Sequence, residues 1–147
     1  MQIFIDSANI AEIEKWLEMG VIDGVTTNPS VMLKDGVYNA EEKVREIASL
    51  VHLRPVSVEV TTDGLDEILI QARSLSSWAP NIVVKIPQVT RDGTPCYGVM
   101  RQLESEGIKV NATVALSLGQ VILSTKAGVT YASMLGPLSA AGRDNRI

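Results

Sequence analysis

Six short runs rich in Val, Ile and other apolar residues recur along the chain, at positions 3–6, 24–28, 55–60, 81–87, 109–114 and 130–133, and read as β-strands. The longer stretches between them repeat apolar residues at helical spacing. Positions 9–19 carry Ile10, Ile13, Trp16 and Leu17 on one face, and Ser7 just ahead can accept from the amides left open where a helix begins. Positions 41–50, 65–75, 98–106 and 118–126 show comparable patterns. Gly20, Gly107 and Gly128 stand shortly before strands, where a left-handed helix cap suits glycine. Strand and helix in alternation imply βα units around a parallel sheet, joined by right-handed crossovers. No linker, low-complexity tract or change of composition divides the 147 residues, so positions 1–147 are read as one domain.

Composition narrows the class of partner. Hydrophobic residues make up 46% and charged residues 20%, as in an ordinary globular protein. The net charge of -4 comes without any run of Lys or Arg, which argues against nucleic acid or an anionic membrane as partner. An anionic ligand must therefore meet a local positive site. Cys96, the single cysteine, has no internal partner, and its neighbours Thr94, Pro95 and Tyr97 form no metal-ligand or thiol-catalysis pattern. His52, the single histidine, lies at a helix-to-strand junction with no triad to join and is read as a loop residue. The first residues lack the basic flank and apolar stretch of a signal peptide, and no apolar run approaches the ~20 residues of a membrane span, so a cytoplasmic location is expected.

A parallel strand covered on both faces is nearly all apolar, so a charge inside one calls for a reason. Lys85 stands between Ile82-Val83-Val84 and Ile86-Pro87. Burial there favours the neutral, nucleophilic amine that imine formation requires, with a structural ion pair as the competing reading. Asp6, Asn28, Glu59, Asn111 with Thr113, and Ser133 occupy the C-terminal ends of the other strands. Strand alternation puts Phe4, Thr26, Ser57, Val83 and Tyr131 on the same side one step earlier, and Lys109 is expected to precede its strand. Each polar residue also has a bland reading. Asp6 could cap the first helix, Asn28 before Pro29 could shape a turn, and Glu59 could be a surface carboxylate, although Val56, Val58 and Val60 argue for burial. Thr113 and Ser133 are ordinary strand residues taken singly. Taken together the set is expected to converge, because in a (β/α)8 TIM barrel the C-terminal strand ends form the active-site face.

The segments Ile5-Asp6, Gly24-Val25-Thr26-Thr27-Asn28-Pro29-Ser30, Val58-Glu59-Val60, Val83-Val84-Lys85-Ile86-Pro87 and Glu106-Gly107-Ile108-Lys109-Val110-Asn111-Ala112-Thr113 together resemble the small transaldolase and fructose-6-phosphate aldolase family, with matching spacing up to Ser133. The resemblance implies that Lys85 attacks the C2 carbonyl of a ketose phosphate, forming a Schiff base that serves as electron sink for C3–C4 cleavage. It implies Asp6 as the base for the C4 hydroxyl, and Glu59 with Thr113 as holders of the water that shuttles protons. Thr27, Asn28, Asn111 and Ser133 would bind the dihydroxyacetone unit, which passes to an aldose phosphate such as erythrose 4-phosphate in the pentose phosphate pathway. It further implies no metal, no organic cofactor, and a ring-shaped homo-oligomer. The family places a phosphate-binding arginine after the serine corresponding to Ser133. Here the text is Met134-Leu135-Gly136-Pro137-Leu138, which leaves Arg143 as the expected substitute. Glu59 favours the transaldolase branch, since aldolase relatives carry Gln there, while Leu116 departs from the Phe or Tyr of the two branches.

Six strands do not close an eight-stranded barrel, and about six of the eight βα units are expected here. Three explanations stand side by side: a shortened form, a partner chain that completes the barrel, or an oligomer built by exchange of elements. Accordingly, a non-catalytic barrel fragment or assembly module, and aldol cleavage that releases dihydroxyacetone without transfer, are kept as alternatives to transaldolase-like transfer.

Overall fold

The computed structural model describes residues 2–134. Six parallel strands lie side by side in chain order: β1 (Phe4–Asp6), β2 (Gly24–Thr26), β3 (Val56–Glu59), β4 (Ile82–Pro87), β5 (Val110–Ala115) and β6 (Tyr131–Met134). Between them run α1 (Ile10–Glu18), α2 (Pro29–Lys34), α3 (Ala40–Leu50), α4 (Leu65–Ser76), α5 (Tyr97–Ser105) and α6 (Leu118–Ala127). All six expected strands and five of the helices form within two residues of their expected bounds. β5 begins at Val110, so Lys109 does precede its strand.

Two helix starts differ from expectation for the same reason, a side-chain amide. Asn9, not Ser7, caps α1, accepting from the Glu12 amide at 3.1 Å. Ser7 supports it from outside, its hydroxyl accepting from the Asn9 amide and donating to the Glu12 carboxylate at 2.6 Å. The additional helix α2 starts where Asn28 accepts from the Val31 amide at 2.9 Å. Pro29 fills its first position, where the missing N–H would have had no partner.

The two faces of the sheet are chemically distinct because β-strand side chains alternate. Val25, Val56, Val58, Ile82, Val84, Ile86, Val110 and Ala112 are buried in one apolar core with Ile13, Val44, Ile47, Ile68, Met100 and Leu103 from the helices. The alternate residues, including Thr26, Ser57, Glu59, Lys85, Asn111 and Thr113, face the other way. Val83 is equally buried yet stands apart from that core, as its place on the opposite face requires. That face is concave. The rings of Phe4 on β1 and Tyr131 on β6, at the two edges of the sheet, meet edge to face with centroids 5.5 Å apart. The architecture is thus a curled partial barrel of the (β/α)8 type, with helices outside and polar groups within.

Two local features shape the concave face. Gly24 lies under Phe4, and a Cβ there would fall 2.5 Å from the ring and 2.7 Å from the Pro55 carbonyl oxygen, so no larger residue fits without displacement. On β5 the register slips between Ala112 and Ala115, where Thr113 and Val114 stand opposite Ser133 alone. Val114 takes φ 56°, a left-handed conformation disfavoured for a β-branched residue. Among the described residues no helix is long and apolar enough to cross a membrane.

Candidate active site

Strand register brings the site together. Lys85 pairs with Glu59 on one side and Asn111 on the other, so three polar side chains from β3, β4 and β5 sit abreast on the concave face. The Lys85 Nζ donates to Glu59 Oε2 at 3.2 Å and to the Thr27 carbonyl oxygen at 2.9 Å. Lys85 is only 8% exposed, so burial holds as expected. Burial is not its whole environment, however, since two acceptors balance the ammonium. The ion pair considered as a competing reading is therefore present, a carboxylate set beside the amine.

The neighbours sort by what their polar atoms already do. Thr27 is fully buried with its hydroxyl donating to the Ser57 carbonyl oxygen at 3.0 Å, so it meets the lysine through its backbone rather than its side chain. Asn28 spends its carbonyl oxygen on the α2 cap, which leaves its NH₂ to donate elsewhere. Asn111 is buried, and its Oδ1 accepts from the Ser133 hydroxyl at 2.8 Å, tying β5 to β6. Thr113 is buried at the β5 irregularity, opposite Pro87 on β4. Asp6 does not cap α1. It lies at the exposed end of β1, where Oδ1 accepts from the Thr26 hydroxyl at 2.9 Å. Leu116 is 67% exposed just beyond β5. Arg143 lies outside the described residues.

Two residues, Thr26 and Ser57, are not among the site residues expected from the sequence, and Thr27 is, but not through its backbone carbonyl. Thr26 orients Asp6, and the pairing of Asp6 with Thr26 across β1 and β2 is the signal that would have found it. The Thr27 carbonyl carries no sequence signal at all, because every residue has one. Ser57, one alternation below Glu59, keeps a buried hydroxyl without a hydrogen-bond partner among the described residues.

Two cavities meet at Glu59. One, of ≈ 350 Å³, extends from Thr27, Asn28 and Glu59 to the apolar side chains of Met32, Leu75 and Trp78. The other, of ≈ 490 Å³, opens at the ends of β3 and β4 between Glu59, Thr61, Asp63, Pro87, Thr90 and Arg91. An amine of this kind can add to a carbonyl, with the carboxylate taking its proton and flanking amides and hydroxyls holding the carbon chain. Among the described residues no cluster of three or more His, Cys, Asp or Glu could hold a metal ion.

The family model described as Transaldolase/Fructose-6-phosphate aldolase matches residues 3–135. A Dehalococcoides mccartyi protein named "Probable transaldolase" is 41% identical over 145 residues, covering 98% of this chain and 65% of its own length. A Herpetosiphon aurantiacus protein of the same name is 44% identical over 148 residues, covering 100% of this chain and 64% of its own. The "Probable transaldolase 2" of Listeria monocytogenes is 43% identical over 148 residues, with 65% of its length covered. The chain thus spans just under two thirds of these curated relatives. With a matched family model across nearly all of its described residues, the chain belongs to the transaldolase/fructose-6-phosphate aldolase family.

Proposed function

We propose that this chain carries the Schiff-base centre of a transaldolase-type transferase, moving a dihydroxyacetone unit from a ketose phosphate to an aldose phosphate. The observation that carries the reading is the contact of the buried Lys85 Nζ with Glu59 Oε2 at 3.2 Å. Glu59 takes a proton from the ammonium, and the free amine adds to the ketose C2 carbonyl. Water then leaves the carbinolamine with a proton relayed by Glu59 and Thr113. Asp6, held by Thr26, takes the C4 hydroxyl proton. The C3–C4 bond breaks, its electrons flow to the iminium, and an enamine remains on Lys85 while the first aldose phosphate departs. Addition of the enamine to the second aldose phosphate and hydrolysis of the imine complete the transfer. Asn28, Asn111 and Ser133 hold hydroxyls of the three-carbon unit. Fructose 6-phosphate and sedoheptulose 7-phosphate are the proposed donors, with the pentose phosphate pathway as the proposed setting and a cytoplasmic homo-oligomer as the proposed form.

The test is product analysis with fructose 6-phosphate in the presence and absence of erythrose 4-phosphate. Formation of sedoheptulose 7-phosphate only when the acceptor is present supports transfer. Release of free dihydroxyacetone without acceptor would replace it by aldol cleavage. The unpaired outer edges of β1 and β6 among the described residues favour, as a second reading, a non-catalytic assembly module. Consumption of donor in neither reaction, by folded protein, would leave that reading in place.

A further inference from the structure

We propose that Gln88, at the end of the lysine strand, is a positioning residue: bridged to Ser124 of α6, it holds the irregular stretch of β5 so that the Thr113 hydroxyl stays at the Lys85 site. The inference rests on the proton relay proposed for Thr113, and its carriers lie in the helix layer, outside the concave face.

The helices meet the sheet through apolar side chains, with one exception among the described residues. Val44, Ile47 and Ala48 are the buried residues of α3, Ile68, Ala72 and Leu75 those of α4, and Val99, Met100 and Leu103 those of α5. By contrast α6 buries Ser124 alone, and encloses it fully. Its partner on the sheet is polar too. Alternation along β4 sends Ile82, Val84 and Ile86 to the outer core, and Gln88, next in that series, is 1% exposed. Burying an amide and a hydroxyl where an apolar pair would fit costs free energy unless both are hydrogen-bonded, so the pair matters through the bonds it makes.

Those bonds converge on the β5 irregularity. The Ser124 hydroxyl lies 2.8 Å from Gln88 Oε1 and 2.9 Å from the Gln120 carbonyl oxygen, sharing one hydrogen between them. That fixes which end of the amide faces α6, and Gln88 Nε2 donates the other way, to the Thr113 carbonyl oxygen at 3.4 Å. The ladder explains why the contact falls there. The Val84 amide donates to the Lys109 carbonyl oxygen at 2.9 Å, and stepping by two along both strands puts Gln88 beside the Thr113 carbonyl. β4 ends at Pro87, and the side-chain amide of Gln88 continues the ladder past that end. At Thr113 the pairing of β5 with β6 slips, and Val114 takes φ 56°, so β6 no longer fixes the backbone there. Gln88 is itself anchored, its carbonyl oxygen accepting from the Cys96 amide at 3.0 Å. The bridge from α6 through Gln88 therefore sets the Thr113 peptide from behind, while the Thr113 side chain faces the concave side.

The experiment compares the wild-type chain, Gln88→Met, and Gln88→Met combined with Ser124→Ala, each with and without Thr113→Val. Met matches Gln in length, and removing both polar partners leaves no orphan within the pair, so the combined variant is expected to unfold in urea close to the wild-type midpoint. Each protein is mixed with fructose 6-phosphate and quenched with borohydride, which reduces the imine but not the carbinolamine, so the rate of Lys85 adduct formation follows dehydration. Both Gln88 variants are expected to lower that rate about tenfold with the half-saturating sugar concentration unchanged, and to lower it less than about twofold when Thr113→Val is already present. A merely structural pair would not lose its effect with the Thr113 hydroxyl. Hydrogen exchange at the amides of residues 113–115, expected to be at least about tenfold faster in Gln88→Met, reads the hold without catalysis. Wild-type rates in the combined variant, or an equal loss with and without the Thr113 hydroxyl, overturn the proposal. A wild-type chain that forms no adduct removes the Schiff-base reading instead; faster exchange then sustains the hold on β5, and unchanged exchange overturns it.

Discussion

Lys85 and Glu59 depend on each other, so a substitution at either one tests packing as well as chemistry. Lys85→Arg keeps the charge and an ion pair but has no amine able to form an imine. It is expected to remain folded with catalysis lost, whereas Lys85→Ala strands the partly buried Glu59 carboxylate and costs about 1–3 kcal/mol in urea unfolding. In the proposed mechanism Thr26 acts through Asp6 rather than on substrate. Thr26→Val should therefore leave Lys85 adduct formation intact while slowing C3–C4 cleavage roughly tenfold or more, a split visible in single-turnover kinetics. Equal loss of both steps would remove Asp6 from its assigned role. Cys96 shows the opposite case, a group that the fold silences. Burial pushes its thiol up to about 11, so it should resist alkylation at pH 8 until the protein is unfolded. Lysine and carboxylate were legible in the sequence because charge inside an apolar strand violates a strong rule. Thr26, the Thr27 carbonyl and the Ser57 hydroxyl break no rule, and they acquire meaning only through register.

At the scale of elements, strands and longer helices follow from periodicity, but short caps and strained links do not. α2 has six residues, too few for a helical repeat, and its Asn-Pro start is equally a turn signal. The β5 irregularity is less legible still, because Val114 is a residue that strand propensity favours, yet it adopts a left-handed conformation. This strain, together with the register slip, accompanies the inward placement of Thr113. Val114→Gly removes the Cβ conflict at a partly exposed position and is expected to raise stability by about 1 kcal/mol in urea melts. A loss of similar size would show that the Val114 side chain contributes packing that outweighs its strain. Gly24 is the converse. Gly24→Ala drives a methyl into Phe4 and the Pro55 carbonyl, and is expected to lower stability by about 1–3 kcal/mol in the same measurement.

Across the whole molecule, alternation alone separates an apolar outer face that binds helices from a polar concave face that holds the candidate site. The curvature that turns a sheet into a site is seen in the contact of Phe4 with Tyr131, residues 127 positions apart in sequence. No local pattern predicts that contact, although it follows once parallel strands twist in one sense. The outer layer carries its own link between α4 and α5, where Arg73 grips Glu106 through two hydrogen bonds of 2.7 and 2.8 Å. The Arg73 hydrogen bond holds the Glu106 carboxyl down at about 2. A depressed carboxyl contributes its stability above the ordinary carboxylate range and loses it as pH falls toward 2. The pair is solvent-exposed, so Glu106→Gln should change stability only slightly at pH 7 and still less at pH 2.

The central claim, that the buried amine of Lys85 is the nucleophile, is tested most directly by incubating the chain with fructose 6-phosphate, reducing with borohydride and mapping the modified peptide by mass spectrometry. The account predicts one covalent sugar adduct, located on Lys85 and absent from Lys85→Arg. A folded protein that gains no adduct, or gains it equally on surface lysines such as Lys34 or Lys126, would contradict it.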